Sequence, residues 1–127
     1  MKIKEAGMTI KECYEKVGSD YDGVLKRLGS EALVKRFAVK FLNDPSFQEL
    51  TDGLAAQDGE KAFRAAHTLK GVCQNLSLTS LYQVSSQLTE ELRNEDTAVS
   101  GNPNISDYMS KVTAEYHKTI EAIQELE

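Results

Sequence analysis

The sequence predicts an all-α protein, an antiparallel up-and-down four-helix bundle with one or two short N-terminal helices. Strand-like alternation is absent, apolar residues recur with a period of about 3.6, and glycine, proline, serine and aspartate fall between the periodic segments. Four of the predicted helices exceed ten residues, and each carries one apolar stripe. Because such stripes are buried by packing against one another, an antiparallel bundle is the simplest arrangement.

Length and composition indicate one domain. The chain has 127 residues, of which 40% are hydrophobic and 28% charged, and it contains two prolines. These values exclude a disordered or low-complexity chain, and a domain of this size needs neither a disulfide nor a metal to fold. We expect a single domain over 1–127, with residues 1–20 as an N-terminal extension and 30–126 as the helical bundle core.

Two short helices come first. One is predicted near 9–17 and another over 21–28, where Ser19 or Asp20 provides the N-cap and Gly29 ends the helix. The buried side of the first helix is expected to consist of Ile10, Cys13, Tyr14 and Val17.

Two further helices precede the centre of the chain. Ser30 caps a helix that ends near Asn43 and buries a stripe with the spacing i, i+3, i+4, i+7. Asp44 and Pro45 then predict a restart, with Asp44 as N-cap and Pro45 at the first helical position. The buried side chains are expected to be Val34, Phe37, Ala38, Phe41, Phe47, Leu50 and Leu54. We interpret the three phenylalanines among them as core rather than as an aromatic docking patch.

Three helices complete the bundle. Asp58 caps a helix over 59–76, and Ser80 with Gln83 resembles a capping box that starts a helix ending near Asn94. A loop over 96–104 precedes the last helix, predicted over 105–126. The inward side chains are expected to be Ala62, Ala66, Leu69, Cys73 and Leu76, then Leu81, Val84, Leu88 and Leu92, and finally Ile105, Met109, Val112, Tyr116, Ile120 and Ile123.

The charge distribution argues against nucleic acid as a partner. The chain has 15 basic and 20 acidic residues, a net charge of −5, without the clustered Lys and Arg that neutralise phosphates. Residues 90–127 carry a net charge of −6 and the first 89 residues carry +1. An acidic partner should therefore prefer the first part of the chain.

Signals for a membrane or for secretion are absent from the sequence. No apolar run approaches the length of a membrane span, and the N-terminus lacks the apolar stretch of a secretory signal. Cys13 and Cys73 lie in apolar patterns and are expected to be buried thiols rather than a disulfide. We therefore expect a cytoplasmic protein that does not associate with membranes.

One histidine has an unusual set of neighbours. His67 lies in mid-helix but outside the buried face, and Phe63, Lys70, Gly71 and Gln74 share its side of the helix. A glycine inside a helix costs roughly 1 kcal/mol relative to alanine. We interpret Gly71 as a position where a side chain would cover the imidazole.

These residue types suit a carrier of phosphoryl groups. A neutral imidazole is a competent nucleophile, and an ammonium group nearby stabilises the charge on a transferred phosphoryl group. The spacing alone is equally compatible with an exposed histidine and a solvated lysine.

A resemblance to a known family rests on the run AHTLKG at 66–71, continuing through Leu76 to Leu81. This run resembles the signature of histidine-containing phosphotransfer (HPt) domains, helical bundles that relay phosphoryl groups between response-regulator aspartates in two-component signalling. The resemblance covers about residues 30–126. One departure is visible, since the family often has glycine ten positions after the histidine, where this chain has Ser77.

The resemblance implies that His67 accepts the phosphoryl group, that Lys70 stabilises it and that Gly71 keeps access open. Docking would use Phe63, Gly71 and Gln74. The partners would be receiver domains of response regulators and a hybrid histidine kinase. The chain would be a monomeric phosphocarrier rather than an enzyme, with no cofactor of its own, because Mg²⁺ would belong to the receiver.

Other functions have weaker support in the sequence. A non-catalytic interaction bundle that no longer transfers phosphate is the alternative, and the retention of His67, Lys70 and Gly71 argues against it. A di-metal bundle would need Glu-x-x-His pairs, but neither histidine has a glutamate three residues before it. A kinase would need a phosphate-binding glycine loop, which is missing. We interpret His117 as a surface or packing residue.

Overall fold

The computed structural model describes residues 7–93 and 102–126, and within these ranges the chain forms seven helices and no extended strand. The helices are α1 (Ile10–Lys16), α2 (Tyr21–Leu28), α3 (Glu31–Phe41), α4 (Ser46–Ala55), α5 (Gly59–Asn75), α6 (Thr79–Leu92) and α7 (Pro103–Gln124). The predicted all-α class is confirmed.

The first three helices begin at local sequence signals. Thr9 and Glu12 form a capping box in which each side chain accepts the other's backbone N–H, at 3.1 and 3.0 Å. Asp20 and Ser30 cap α2 and α3 as predicted. Gly29 ends α2 in the left-handed conformation, with φ 93°, where the absence of a Cβ removes the steric penalty.

Helix α4 begins one residue later than predicted. Pro45 occupies the N-cap rather than the first helical position, and the Ser46 N–H donates to the Asp44 carboxylate at 2.9 Å. This bond spans two residues, as in an Asx turn, so Asp44 satisfies an N–H of the first turn from outside the helix.

The predicted capping box of Ser80 and Gln83 is wrong. Helix α6 begins one residue before Ser80 without a side-chain cap. The Ser80 hydroxyl donates instead to the carbonyl of Gly18 at 3.4 Å. Ser77, which follows the C-cap residue Leu76 of α5, adopts a left-handed conformation with φ 54°, and the chain reverses there.

Helix α7 begins two residues earlier than predicted. The Asn102 side chain caps it by accepting the Asn104 N–H at 3.0 Å, and Pro103 occupies the first turn. Residues 102–104 of the predicted loop are thus the N-cap and first turn of α7, so that part of the loop prediction is wrong. The rest of the predicted loop and the helix end near Asn94 lie outside the described residues.

The core contains most of the predicted inner side chains. Phe41 is buried, and Phe47 is half-buried and stacks on Tyr116 with ring centroids 3.9 Å apart. Phe37 is 37% exposed, so its predicted place in the core is wrong. Phe37 lies at the edge of the apolar stripe of α3. There its side chain lines an open groove, together with Arg27, instead of packing under a neighbouring helix. The side chains predicted to be buried near α1 and α5 are all buried, namely Ile10, Cys13, Tyr14, Val17, Ala62, Ala66, Leu69, Cys73 and Leu76. Ala65, which was not predicted, is buried as well.

Helix α5 lies between two neighbours, because it packs against both α4 and α6, and α6 packs in turn against α7. The N-terminal segment is attached to this group. The Tyr14 hydroxyl donates to the Leu76 carbonyl at 2.7 Å, and the Met8 N–H donates to the Glu125 carbonyl at 2.8 Å. Of the helices described, none is long and apolar enough to cross a membrane.

Candidate functional site

The site is built on α5, whose two faces differ in composition. Asp58 caps the helix by accepting the Lys61 N–H at 3.1 Å. The inner face consists of small and aliphatic residues that are fully buried, so the rotation of the helix about its axis is fixed by packing. That rotation leaves His67 and Gln74 exposed and Lys70 and Gly71 partly covered.

The imidazole of His67 is open to solvent. Among the residues that the structure describes, its one ring contact is with Phe63, whose centroid lies 5.9 Å away at an interplanar angle of 41°. Within the described residues, no hydrogen bond occupies either ring nitrogen. A ring nitrogen with a free lone pair and no covering side chain is accessible to an electrophile from outside the helix.

Gly71 leaves open space one turn beyond His67. A Cβ built at this glycine would meet no atom of residues 7–93 and 102–126 within 4 Å. The glycine is therefore not required for close helix packing, in contrast to Gly53 on α4, where a Cβ would lie 2.8 Å from the Ala62 nitrogen. Gly71 lies one helical turn after His67 on the same side of α5, whereas Gly53 lies on α4.

Lys70 provides a positive charge on the same side of the helix. It is half-buried and forms no ion pair with any of the described acidic residues. An unpaired ammonium in this position is free to interact with an anion that approaches or binds His67.

Sequence reasoning missed the contribution of α6. Arg93, at the end of that helix, places its guanidinium 5.2 Å above the centre of the Phe63 ring. It also bonds Glu90 through two nitrogens, at 2.7 and 3.2 Å. The Arg93 hydrogen bond holds the pKa of Glu90 below its usual range, with Lys70 and His67 adding to the effect. The i, i+3 spacing of this pair is visible in the sequence, but its place beside Phe63 depends on how α6 packs on α5.

Arg27 of α2 caps the C-terminal end of α5. Its Nη1 donates to the carbonyls of Gln74 and Asn75 at 3.2 and 2.7 Å and to the Ser77 hydroxyl at 3.0 Å. A cation at this end of a helix also complements the helix dipole. Ser77 thus occupies a left-handed position that favours glycine while its hydroxyl accepts a hydrogen bond.

His117 lies on α7 and is exposed, as a surface residue would be. Its ring contacts Phe47 and Tyr116, with centroids 5.9 and 5.7 Å away. No group of three or more His, Cys, Asp and Glu side chains within 7–93 and 102–126 is placed to hold a metal ion.

The two cysteines are buried free thiols. Burial raises the pKa of Cys13 to about 11 and raises that of Cys73 further. Both groups therefore stay protonated at neutral pH and are poor nucleophiles. His67 is the better candidate for covalent chemistry.

Comparison with known proteins adds a family match. The model of one protein family, the Hpt domain, matches residues 43–126, which is more than half of the chain. This range contains α4 to α7 and includes His67, Lys70 and Gly71. No curated protein and no solved structure matches the chain.

Proposed function

Because the chain belongs to the Hpt domain family, we propose that it is a phosphorelay carrier, which accepts a phosphoryl group on His67 from a receiver-domain aspartate and passes it to another receiver. The observation that carries this proposal is the exposed imidazole of His67, which has no hydrogen bond among the described residues and lies beside the open surface at Gly71.

The transfer is a displacement at phosphorus. One imidazole nitrogen of His67 attacks the phosphorus of the aspartyl phosphate, and a nitrogen–phosphorus bond forms as the phosphorus–oxygen bond breaks. The electron pair of the broken bond leaves on the aspartate carboxylate, and the second ring nitrogen releases its proton to solvent. The reverse step returns the phosphoryl group to the aspartate of another receiver.

Lys70 and Gly71 have supporting roles in this proposal. The Lys70 ammonium stabilises the negative charge on the phosphoryl oxygens, both during transfer and in the phosphohistidine. Gly71 allows the surface of a receiver to reach the imidazole. Phe63 and Gln74, on the same side of α5, contact the docked receiver.

The proposed partners are receiver domains and a hybrid histidine kinase. Mg²⁺ is held by the receiver, and this chain brings neither a cofactor nor a nucleotide site. It is therefore a phosphocarrier and not an enzyme in its own right. We propose a cytoplasmic monomer that docks through the more positive part of the chain, since the first 89 residues carry +1 and the remainder −6.

We propose that α4 to α7 form an antiparallel up-and-down four-helix bundle within one domain over 1–127. Two observations support this arrangement: consecutive helices pack on each other, and only residues 56–58 and 76–78 connect α4 to α5 and α5 to α6. Helix α3 would also belong to the proposed core over 30–126, and α1 and α2 would be the short N-terminal helices.

The rival function is a non-catalytic interaction bundle. This function predicts a surface that binds receivers without exchange of phosphoryl groups. It does not explain why Gly71 leaves the His67 imidazole accessible, since binding alone does not need an exposed nucleophile.

A phosphotransfer profile separates the two functions. Purified receiver domains from the same genome are phosphorylated with acetyl phosphate and Mg²⁺, then mixed with the full chain. Phosphoryl transfer from at least one receiver to the chain is expected. Stable binding to receivers without any transfer would favour the interaction bundle.

A further inference from the structure

The last turn of α6 brings an ion pair to the side of α5 that carries His67. Arg93 and Glu90 are joined by two hydrogen bonds, and their side chains are 45% and 58% exposed. The guanidinium also lies over Phe63, whose ring is in turn 5.9 Å from the imidazole. The Arg93 guanidinium, the Phe63 ring and the His67 imidazole are therefore neighbours, in this order, across the boundary between α6 and α5.

We propose that Arg93 is a second cation for the phosphoryl group on His67, held by Glu90 until the phosphoryl group arrives. This inference rests on the proposed function, because it assigns a role to Arg93 only in the phosphorylated protein. Arg93 is a binding and positioning residue for the phosphoryl group. It forms no bond to the reacting atoms of the unphosphorylated site.

The geometry favours Arg93 over the other arginine near the site. Arg64 lies on α5 itself and pairs with Glu60 one turn earlier at 2.8 Å. No ring of the described residues holds the Arg64 guanidinium near the imidazole. Arg93 approaches from the neighbouring helix along the face of Phe63, and guanidinium groups stack on aromatic faces while keeping their hydrogen-bonding edges free.

The negative charge of Glu90 explains why the phosphoryl group on His67 would need Arg93 in addition to Lys70. Its carboxylate lies in the electrostatic field of both Lys70 and His67, so it is close enough to repel a dianionic phosphoryl group on the imidazole. Arg93 neutralises that carboxylate in the resting protein. When the phosphoryl group is present, the guanidinium offers its remaining N–H groups to the phosphoryl oxygens, because its planar fork has five donors and Glu90 accepts only two.

The two charges of the pair therefore have opposite effects on the lifetime of the phosphohistidine. Arg93 stabilises the phosphoryl group and Glu90 destabilises it. Removal of each charge should change the lifetime in opposite senses, a pattern that a merely structural ion pair would not produce.

The experiment uses the full chain labelled with potassium phosphoramidate, a small phosphoryl donor that replaces the receiver. The half-life of the phosphohistidine is followed by ³¹P NMR in Arg93→Gln, Arg93→Lys and Glu90→Gln. Lys16→Gln is the matched control, since it removes one cation from an exposed ion pair between α1 and the end of α7, with Lys16 Nζ 3.3 Å from Glu125. Circular dichroism and melting temperature verify that each variant folds.

Arg93→Gln should shorten the half-life about two- to fivefold, the size expected for an exposed charge interaction, and Glu90→Gln should lengthen it by a similar factor. Arg93→Lys should recover most of the loss, and Lys16→Gln should match the wild type. If Arg93→Gln has the half-life of Lys16→Gln while His67 still takes the label, the role of Arg93 is refuted and the carrier function stands. If label is absent from the wild type or persists in His67→Gln, the carrier function on His67 is refuted as well.

Discussion

Gly53 packs directly against Ala62, so closely that a Cβ on Gly53 would lie 2.8 Å from the Ala62 backbone nitrogen. This contact brings α4 and α5 together and holds α5 in its rotation. Gly71, on the opposite side of α5, would gain a Cβ without any contact within 4 Å to the described part of the chain. Gly53 and Gly71 therefore serve different purposes, since Gly53 permits helix packing and Gly71 leaves a surface open.

Substitution of Gly71 should separate stability from function. Gly71→Ala should raise the free energy of unfolding by up to about 1 kcal/mol, because alanine is the better helix former and meets no obstacle. Receiver transfer should fall only modestly. Gly71→Gln should also fold, but its longer side chain should block the approach to His67 and reduce the transfer rate strongly. Urea unfolding and transfer kinetics measure the two effects.

Gly53→Ala is the matched control for this prediction. The new methyl group overlaps the backbone of α5, so the free energy of unfolding should fall by about 1–3 kcal/mol. A comparable loss of stability in Gly71→Ala would contradict the assignment of Gly71 to an open surface.

Lys70→Ala should affect the phosphoryl group more than the fold. Lys70 forms no ion pair within the described residues, so the free energy of unfolding should change by less than about 0.5 kcal/mol. Transfer should slow, or the phosphohistidine should have a shorter half-life, because a nearby positive charge is lost. Transfer at the wild-type rate with a normal half-life would mean that Lys70 is only a solvated surface charge.

Tyr14→Phe should weaken the attachment of α1 to the bundle. The Tyr14 hydroxyl donates a buried hydrogen bond of 2.7 Å to the carbonyl of Leu76 at the end of α5. Its loss leaves a buried acceptor without this partner, which should lower the free energy of unfolding by about 1–2 kcal/mol. Phosphotransfer should stay close to the wild-type rate, because this bond lies at the end of α5 beyond the His67 turn.

Tyr82→Phe is the control for that measurement. Tyr82 is half-buried and its hydroxyl has no hydrogen bond among the described residues. An equal loss of stability in the two variants would show that the Tyr14 bond itself contributes nothing specific.

Features set by local sequence could be predicted well. Asp58 caps helix α5, which buries the alanines and leucines at the predicted positions, because a cap and a helical repeat depend only on neighbouring residues. The same is true of α2, which is bounded by Asp20 and Gly29. His67 could be singled out by its neighbours on the helix for the same reason.

Features set by tertiary packing could not be predicted. Phe37 fits the repeat of α3 but borders an open groove, because periodicity does not reveal which edge of a stripe a neighbouring helix covers. Ser77 adopts a left-handed conformation in place of a glycine and bonds Arg27, which lies 50 positions earlier in the chain. Arg93 reaches the site only because α6 packs on α5, so its role is invisible in the sequence of either helix.

The most direct test of the central claim is phosphoryl transfer from a labelled receiver to the full chain and to His67→Gln. The wild type should take a label that is lost in acid and stable in base, as expected of a nitrogen–phosphorus bond. His67→Gln should take none, while its helical circular dichroism and melting temperature stay nearly unchanged, because His67 lies outside the core. Label on serine, threonine or His117, or undiminished transfer to His67→Gln, would contradict the account.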